Sequence, residues 1–90
     1  MRIDILSKPE AGYRASKTLE NVRTALNHMN IEAEVHLYRD RRKMIDNRVY
    51  VSPALLIDDD VRIAGRVPAV EEIENLLRTR TRYYRRRDVA

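Results

Sequence analysis

Apolar residues recur along this chain with two periods, and the switches between them mark its elements. In Arg2-Ile3-Asp4-Ile5-Leu6 the pattern alternates and then turns wholly apolar, which predicts a first strand. Pro9 and Gly12 interrupt it. From about Ser16 the period becomes helical: Leu19, Val22, Leu26 and Met29 recur at steps of three and four beside Ala25, with Lys17, Glu20, Arg23, Thr24 and Asn27 on the polar side. Asn30 is read as the helix stop. Glu32 to Tyr38 alternates strictly, with Ala33, Val35 and Leu37 on one face and Glu34, His36 and Tyr38 on the other, as in a half-buried strand. Strand, helix and strand joined by short links form a βαβ unit, so these two strands are expected to be parallel with a right-handed crossover.

The second half is more broken. Arg39 to Arg48 is charged, with Met44-Ile45 as its apolar pair, and predicts a short helix or turn that packs both side chains downward. Val49-Tyr50-Val51-Ser52-Pro53 leads into the apolar run Ala54–Ile57, a third strand entered through a proline that fixes φ and supplies no N–H. Asp58-Asp59-Asp60 is a turn, because Asp tolerates the left-handed region and bonds its own backbone. Val61 to Ala64 then alternates, giving an antiparallel hairpin that ends at Gly65. Val67-Pro68 opens a last helix, with Val70, Ile73, Leu76 and Leu77 as its apolar stripe. Glu71, Glu72 and Glu74 lie near its positive end, and arginines near its negative end.

Composition changes this picture in two ways. Ninety residues make one domain, and with five tyrosines but no Phe or Trp the core is aliphatic. There is no cysteine, which excludes disulfides, thiolate catalysis and cysteine metal sites. No apolar run approaches the roughly 20 residues needed to cross a bilayer, and Met1-Arg2-Ile3-Asp4 has no signal-peptide core, so a cytoplasmic protein without a membrane partner is expected. The formal net charge is +4. Arg78, Arg80, Arg82, Arg85, Arg86 and Arg87 stand against Asp88 alone, so the basicity belongs to the C-terminal segment and residues 1–77 are close to neutral. The expected division is a domain over 1–78 and a basic Arg/Tyr-rich extension over 79–90.

The order β-α-β-(short α)-β-β-α, with a proline before the third strand, resembles the thioredoxin-like fold. It is most similar to small archaeal and bacterial glutaredoxin-like thioredoxins. The residues that carry the resemblance are Met1-Arg2-Ile3, Asn30-Ile31-Glu32-Ala33-Glu34, Val49-Tyr50-Val51-Ser52-Pro53-Ala54-Leu55, the acidic hairpin Asp58–Asp60, and Arg62-Ile63-Ala64-Gly65-Arg66-Val67. The resemblance implies an α/β fold with a four-stranded mixed sheet flanked by helices. It also implies a Cys-x-x-Cys loop after the first strand, and here the two cysteine positions fall on Glu10 and Tyr13. A carboxylate and a phenol do not exchange disulfides, so the scaffold is expected without its redox activity, as a non-enzyme that needs no cofactor.

Each candidate residue has a sharp reading and a plain one. Glu10 and Tyr13 could form a repurposed site at the start of the first helix, where free N–H groups favour anions. The plain reading makes Ser7 the N-cap and Glu10 its capping-box partner. In thioredoxin-like proteins the residue before the cis proline offers its backbone to an extended peptide or to glutathione. The resemblance gives that role to Ser52 beside Pro53, and it survives the loss of thiols because strand addition uses main-chain groups. His28 and His36 fit no zinc spacing, and the three aspartates lack the glycine and distal glutamate of an EF-hand loop.

The first expectation is therefore a redox-inactive module that binds a protein or peptide through Glu10, Tyr13, Ser52 and Pro53. The alternative is nucleic-acid binding through Arg78, Arg80, Arg82, Tyr83, Tyr84, Arg85, Arg86 and Arg87, with Arg39, Arg41, Arg42, Lys43 and Arg48 extending the surface. A third and weaker alternative is glutathione chemistry with Tyr13 or Ser7 as hydroxyl donor, without the helical second domain that glutathione transferases use. A homodimer through the extended last helix also stays open.

Overall fold

A computed structural model describes residues 1–10 and 12–89, with residues 80–89 described in backbone only. Its elements are β1 (Arg2–Ser7), α1 (Gly12–Met29), β2 (Glu34–Arg39), α2 (Arg41–Asp46), β3 (Ala54–Ile57), β4 (Asp60–Ala64) and α3 (Val70–Val89). The sheet has the order β2-β1-β3-β4, with β1 parallel to β2 and antiparallel to β3, and β4 antiparallel to β3. This is the mixed four-stranded thioredoxin-like sheet that the sequence predicts.

Of the two central strands, β3 is apolar on both faces and β1 on one face and at Leu6 of the other, where the buried Asp4 is paired with Arg2, and this is why they lie in the middle. Ile3, Ile5, Leu55 and Ile57 face α1 and α3, where Val22, Ala25, Leu26, Ile73 and Leu77 complete the larger core. Leu6, Ala54 and Leu56 face the other way, onto Met44 of α2 and Val49. On the edge, Val35 and Leu37 of β2 pack against the larger core while Tyr38 packs against the smaller. The alternation read from Glu32 to Tyr38 thus assigns the faces correctly, although the paired strand begins at Glu34.

Three local structures explain the element ends. Asn30 adopts φ 53°, and Ile31 N donates to Leu26 O at 3.0 Å, a Schellman stop for α1. Arg48 adopts φ 59°, and Val49 N donates to Met44 O at 2.8 Å, the same device at the end of α2. Met44 and Val49, the residues joined by that bond, are both buried. Asp58 and Asp59 adopt φ 48° and 72°, as a two-residue hairpin turn requires. Asp58 Oδ1 also accepts from Arg2 N at 2.9 Å, which ties the turn to β1.

Three boundaries differ from expectation. α1 begins at Gly12, not near Ser16, so its first turn includes Tyr13. Ser7 is not a helix cap. It is the last residue of β1, buried, and its hydroxyl donates to Lys8 O at 2.7 Å. Pairing with Arg39 of β2 holds Ser7 in the sheet, so strand formation overrides the local capping pattern. α3 begins at Val70, two residues after Pro68, and its backbone stays helical through Val89. Among the described residues no helix is long and apolar enough to cross a membrane.

Candidate functional site

The C-terminal ends of β1 and β2 and the entrance to β3 lie at one end of the sheet. Three segments meet there: the turn Lys8–Glu10 before α1, the helix α2, and the loop Val49–Pro53. Asp40 starts α2 by accepting from Arg42 N at 2.8 Å, the geometry of an N-cap. Arg39 crosses to α1, where its guanidinium donates to Gly12 O at 3.3 Å and to Ser16 Oγ at 2.9 Å. These contacts hold the start of α1 against the end of β2.

The Ser52–Pro53 peptide bond is cis. Pro53 is buried, and its carbonyl accepts from Gly65 N at 2.9 Å, which extends the β3–β4 ladder by one bond. Gly65 has two reasons to be glycine. Its φ is 88°, and a Cβ there would stand 3.2 Å from Val51 Cγ2. Ser52 is half-buried, and among the described residues its N–H and C=O make no backbone hydrogen bond. Earlier in the same loop, Val49 and Tyr50 line an open cavity of about 230 Å³ together with Lys8, Arg41, Met44 and Ile45. Met44 and Val49 form its buried floor, whereas Ile45 (59% exposed), Tyr50 (70%) and the neighbouring Val51 are open to solvent.

Sequence reasoning located part of this site. Glu10 and Tyr13 flank the start of α1 as expected, but they do not act together. Tyr13 is 80% exposed, and the Glu10 carboxylate accepts from Arg41 Nη2 of α2. Glu10 therefore ties the loop to α2 instead of capping α1. Among the described residues neither Glu10 nor Tyr13 bonds Ser52. The Ser7 hydroxyl is spent on Lys8 O, so it is not the free donor that the glutathione alternative needs.

Ile45 was expected to pack inward with Met44. Successive helical residues point about 100° apart, so only Met44 of the pair faces the sheet. The pairing of Arg41 with Glu10 spans 31 residues and left no local signal. Arg78 donates to Asn75 Oδ1 at 2.8 Å. The side chains of Arg80, Arg82, Tyr83, Tyr84, Arg85, Arg86 and Arg87 lie outside the described residues.

At the helix entry Arg66 donates twice to the Glu72 carboxylate, once at 2.7 Å. This hydrogen-bonded pairing holds the Glu72 carboxyl below the usual glutamate range and raises Arg66 further, against a smaller opposing effect of burial.

A βαβ unit and a ββα unit share one sheet here, with a cis proline at the entrance to β3. That arrangement defines a thioredoxin-like protein from which the thiol pair is missing. The chain matches the thioredoxin domain over residues 1–78 and belongs to that family. It is 32% identical over 66 residues to a thioredoxin of Methanocaldococcus jannaschii, covering 73% of this chain and 76% of the relative. It is 29% identical over 58 residues to a thioredoxin of Methanothermobacter thermautotrophicus, covering 64% and 75%.

Proposed function

We propose that this chain is a binding module built on a thioredoxin-like scaffold, and that it holds an extended protein segment beside the Ser52–Pro53 loop without catalysing thiol chemistry. The observation that carries the reading is the state of Ser52. Its main-chain donor and acceptor have no backbone partner among the described residues, and exposed apolar side chains precede it in the loop at Tyr50 and Val51, with Ile45 exposed on the cavity that Tyr50 also lines. Unpaired main-chain groups at a sheet end suit strand addition, in which backbone bonds supply affinity and neighbouring pockets supply choice. Thiol–disulfide exchange needs a thiolate, and the chain has no cysteine.

The test is capture from native lysate on immobilised wild type, on Pro53→Ala, and on a variant with Arg80, Arg82, Arg85, Arg86 and Arg87 replaced by glutamine. Captured proteins should be lost with Pro53→Ala and kept with the glutamine variant. The reverse pattern would move binding to the C-terminal segment.

A second reading, nucleic-acid binding, has one observation in its favour. α3 continues as a helix through residue 89, so the six C-terminal arginines stand on regular backbone. Salt-dependent retention on heparin that is equal for wild type and the glutamine variant would remove it.

A further inference from the structure

The cavity beside the loop combines two kinds of chemistry. Its floor and one wall are apolar, through Met44, Val49 and Ile45, while Lys8 and Arg41 stand on its lining as cations. At about 230 Å³ it lies below the roughly 300–1,000 Å³ of clefts that take a whole small-molecule ligand. It suits one large apolar side chain.

The cations around it are only partly matched. Among the described residues Lys8 on the lining makes no ion pair, nor do Arg42 and Arg48, which adjoin lining residues in the sequence. Asp40 is used as the α2 cap, which leaves Asp46 as the nearby acid. Arg41 is matched, but by a carboxylate from another segment. Glu10 reaches it from the β1–α1 turn, and both side chains are more than half exposed. An exposed pair of this kind contributes little to stability, and it places an exchangeable carboxylate at that rim.

We propose that the cavity receives a large apolar side chain from an extended acidic segment of a partner protein, and that a carboxylate of that segment takes the place of Glu10 on Arg41. This rests on the reading that Ser52 pairs with the partner's main chain. Glu10 then acts as an internal competitor that weakens binding in the free protein. A peptide fits better than a nucleic acid. Phosphate could match the cations, but alternating amide groups match Ser52, and an aliphatic side chain matches Met44, Val49 and Ile45.

The test uses the full chain, labelled with ¹⁵N, and four probes. These are acetylated Glu-Asp-Leu-Asp-Glu, its neutral Gln-Asn-Leu-Asn-Gln counterpart, the acidic peptide N-methylated at leucine, and hexathymidylate. The acidic peptide should bind more tightly than the neutral one by up to about fivefold, the ceiling of one well-placed exposed pair. The advantage should shrink with added salt. Amide shifts should centre on Lys8, Ile45, Tyr50 and Ser52. Glu10→Gln should tighten the acidic peptide by about two- to fivefold, and Arg41→Gln should weaken it.

Equal affinity for the acidic and neutral peptides, with binding of the acidic one lost on N-methylation, would overturn the acidic preference and leave main-chain pairing at Ser52 intact. Undiminished binding of the N-methylated copy would overturn that pairing and the proposal with it. An unchanged or weaker affinity in Glu10→Gln, binding of hexathymidylate at the same residues, or no binding of any peptide would each overturn the proposal.

Discussion

Val49 and Tyr50 are neighbours with opposite jobs, and truncating each to alanine separates stability from binding. Val49 is 4% exposed and packs with Leu6, Met44, Ala54 and Leu56 beneath α2. Val49→Ala removes two methyl groups from that cluster, about 1.6 kcal/mol at ~0.8 kcal/mol per buried carbon. A sealed void would add a cavity penalty. Here the void opens into the cavity that Val49 already lines, where water can fill it, so the loss should stay near 1.5–2 kcal/mol, close to the transfer value. A chain of this length has roughly 5–14 kcal/mol of stability, so the change is a sizeable fraction. With an m-value of about 1 kcal/mol/M, the urea midpoint should fall by roughly 1.5–2 M, read by far-UV circular dichroism. Tyr50 is 70% exposed, so Tyr50→Ala should move the midpoint by less than about 0.5 M while reducing partner capture. The reasoning fails if Val49→Ala costs under about 0.5 kcal/mol, or if Tyr50→Ala costs more than Val49→Ala.

Two further outcomes follow from local geometry. Arg48 holds φ 59°, which costs an L-residue roughly 1–2 kcal/mol. Arg48→Gly relieves this but loosens the unfolded chain, so it should stabilise by a net of about 0.5–1 kcal/mol in urea unfolding, and a loss of stability would contradict the assignment. Arg66 lowers the Glu72 carboxyl, so Glu72 supports the fold above the ordinary glutamate pKa, and that support is lost as pH falls through its folded value. Carbon-detected titration should find Glu72 ionising at lower pH than usual, and Arg66→Ala should move it up; an unmoved Glu72 would refute the pairing.

What the sequence revealed follows the range of the interactions involved. The faces of β2, the αL stop at Asn30 and the paired aspartates of the hairpin are set by residues a few positions apart, and each could be read directly. Ser7 misled because its capping pattern is local, whereas its place in the sheet depends on Arg39. The resemblance to thioredoxins pointed to Glu10, Tyr13, Ser52 and Pro53. Ile45 and Tyr50 complete the cavity with Arg41, which the sequence offered only as part of a basic surface, and the site they form was not legible because the turn, α2 and the following loop converge only in the folded chain.

The most direct measurement is dithiothreitol-driven insulin reduction by the wild type and by the double variant Glu10→Cys, Tyr13→Cys. The chain has no thiol to react, whereas its scaffold sets Glu10 and Tyr13 at the start of α1, where a thiolate is favoured. The wild type should therefore match the blank, and the double variant should exceed it. Turnover by the wild type would contradict a thiol-free binding role, and a double variant no faster than the blank would contradict retention of the thioredoxin site geometry.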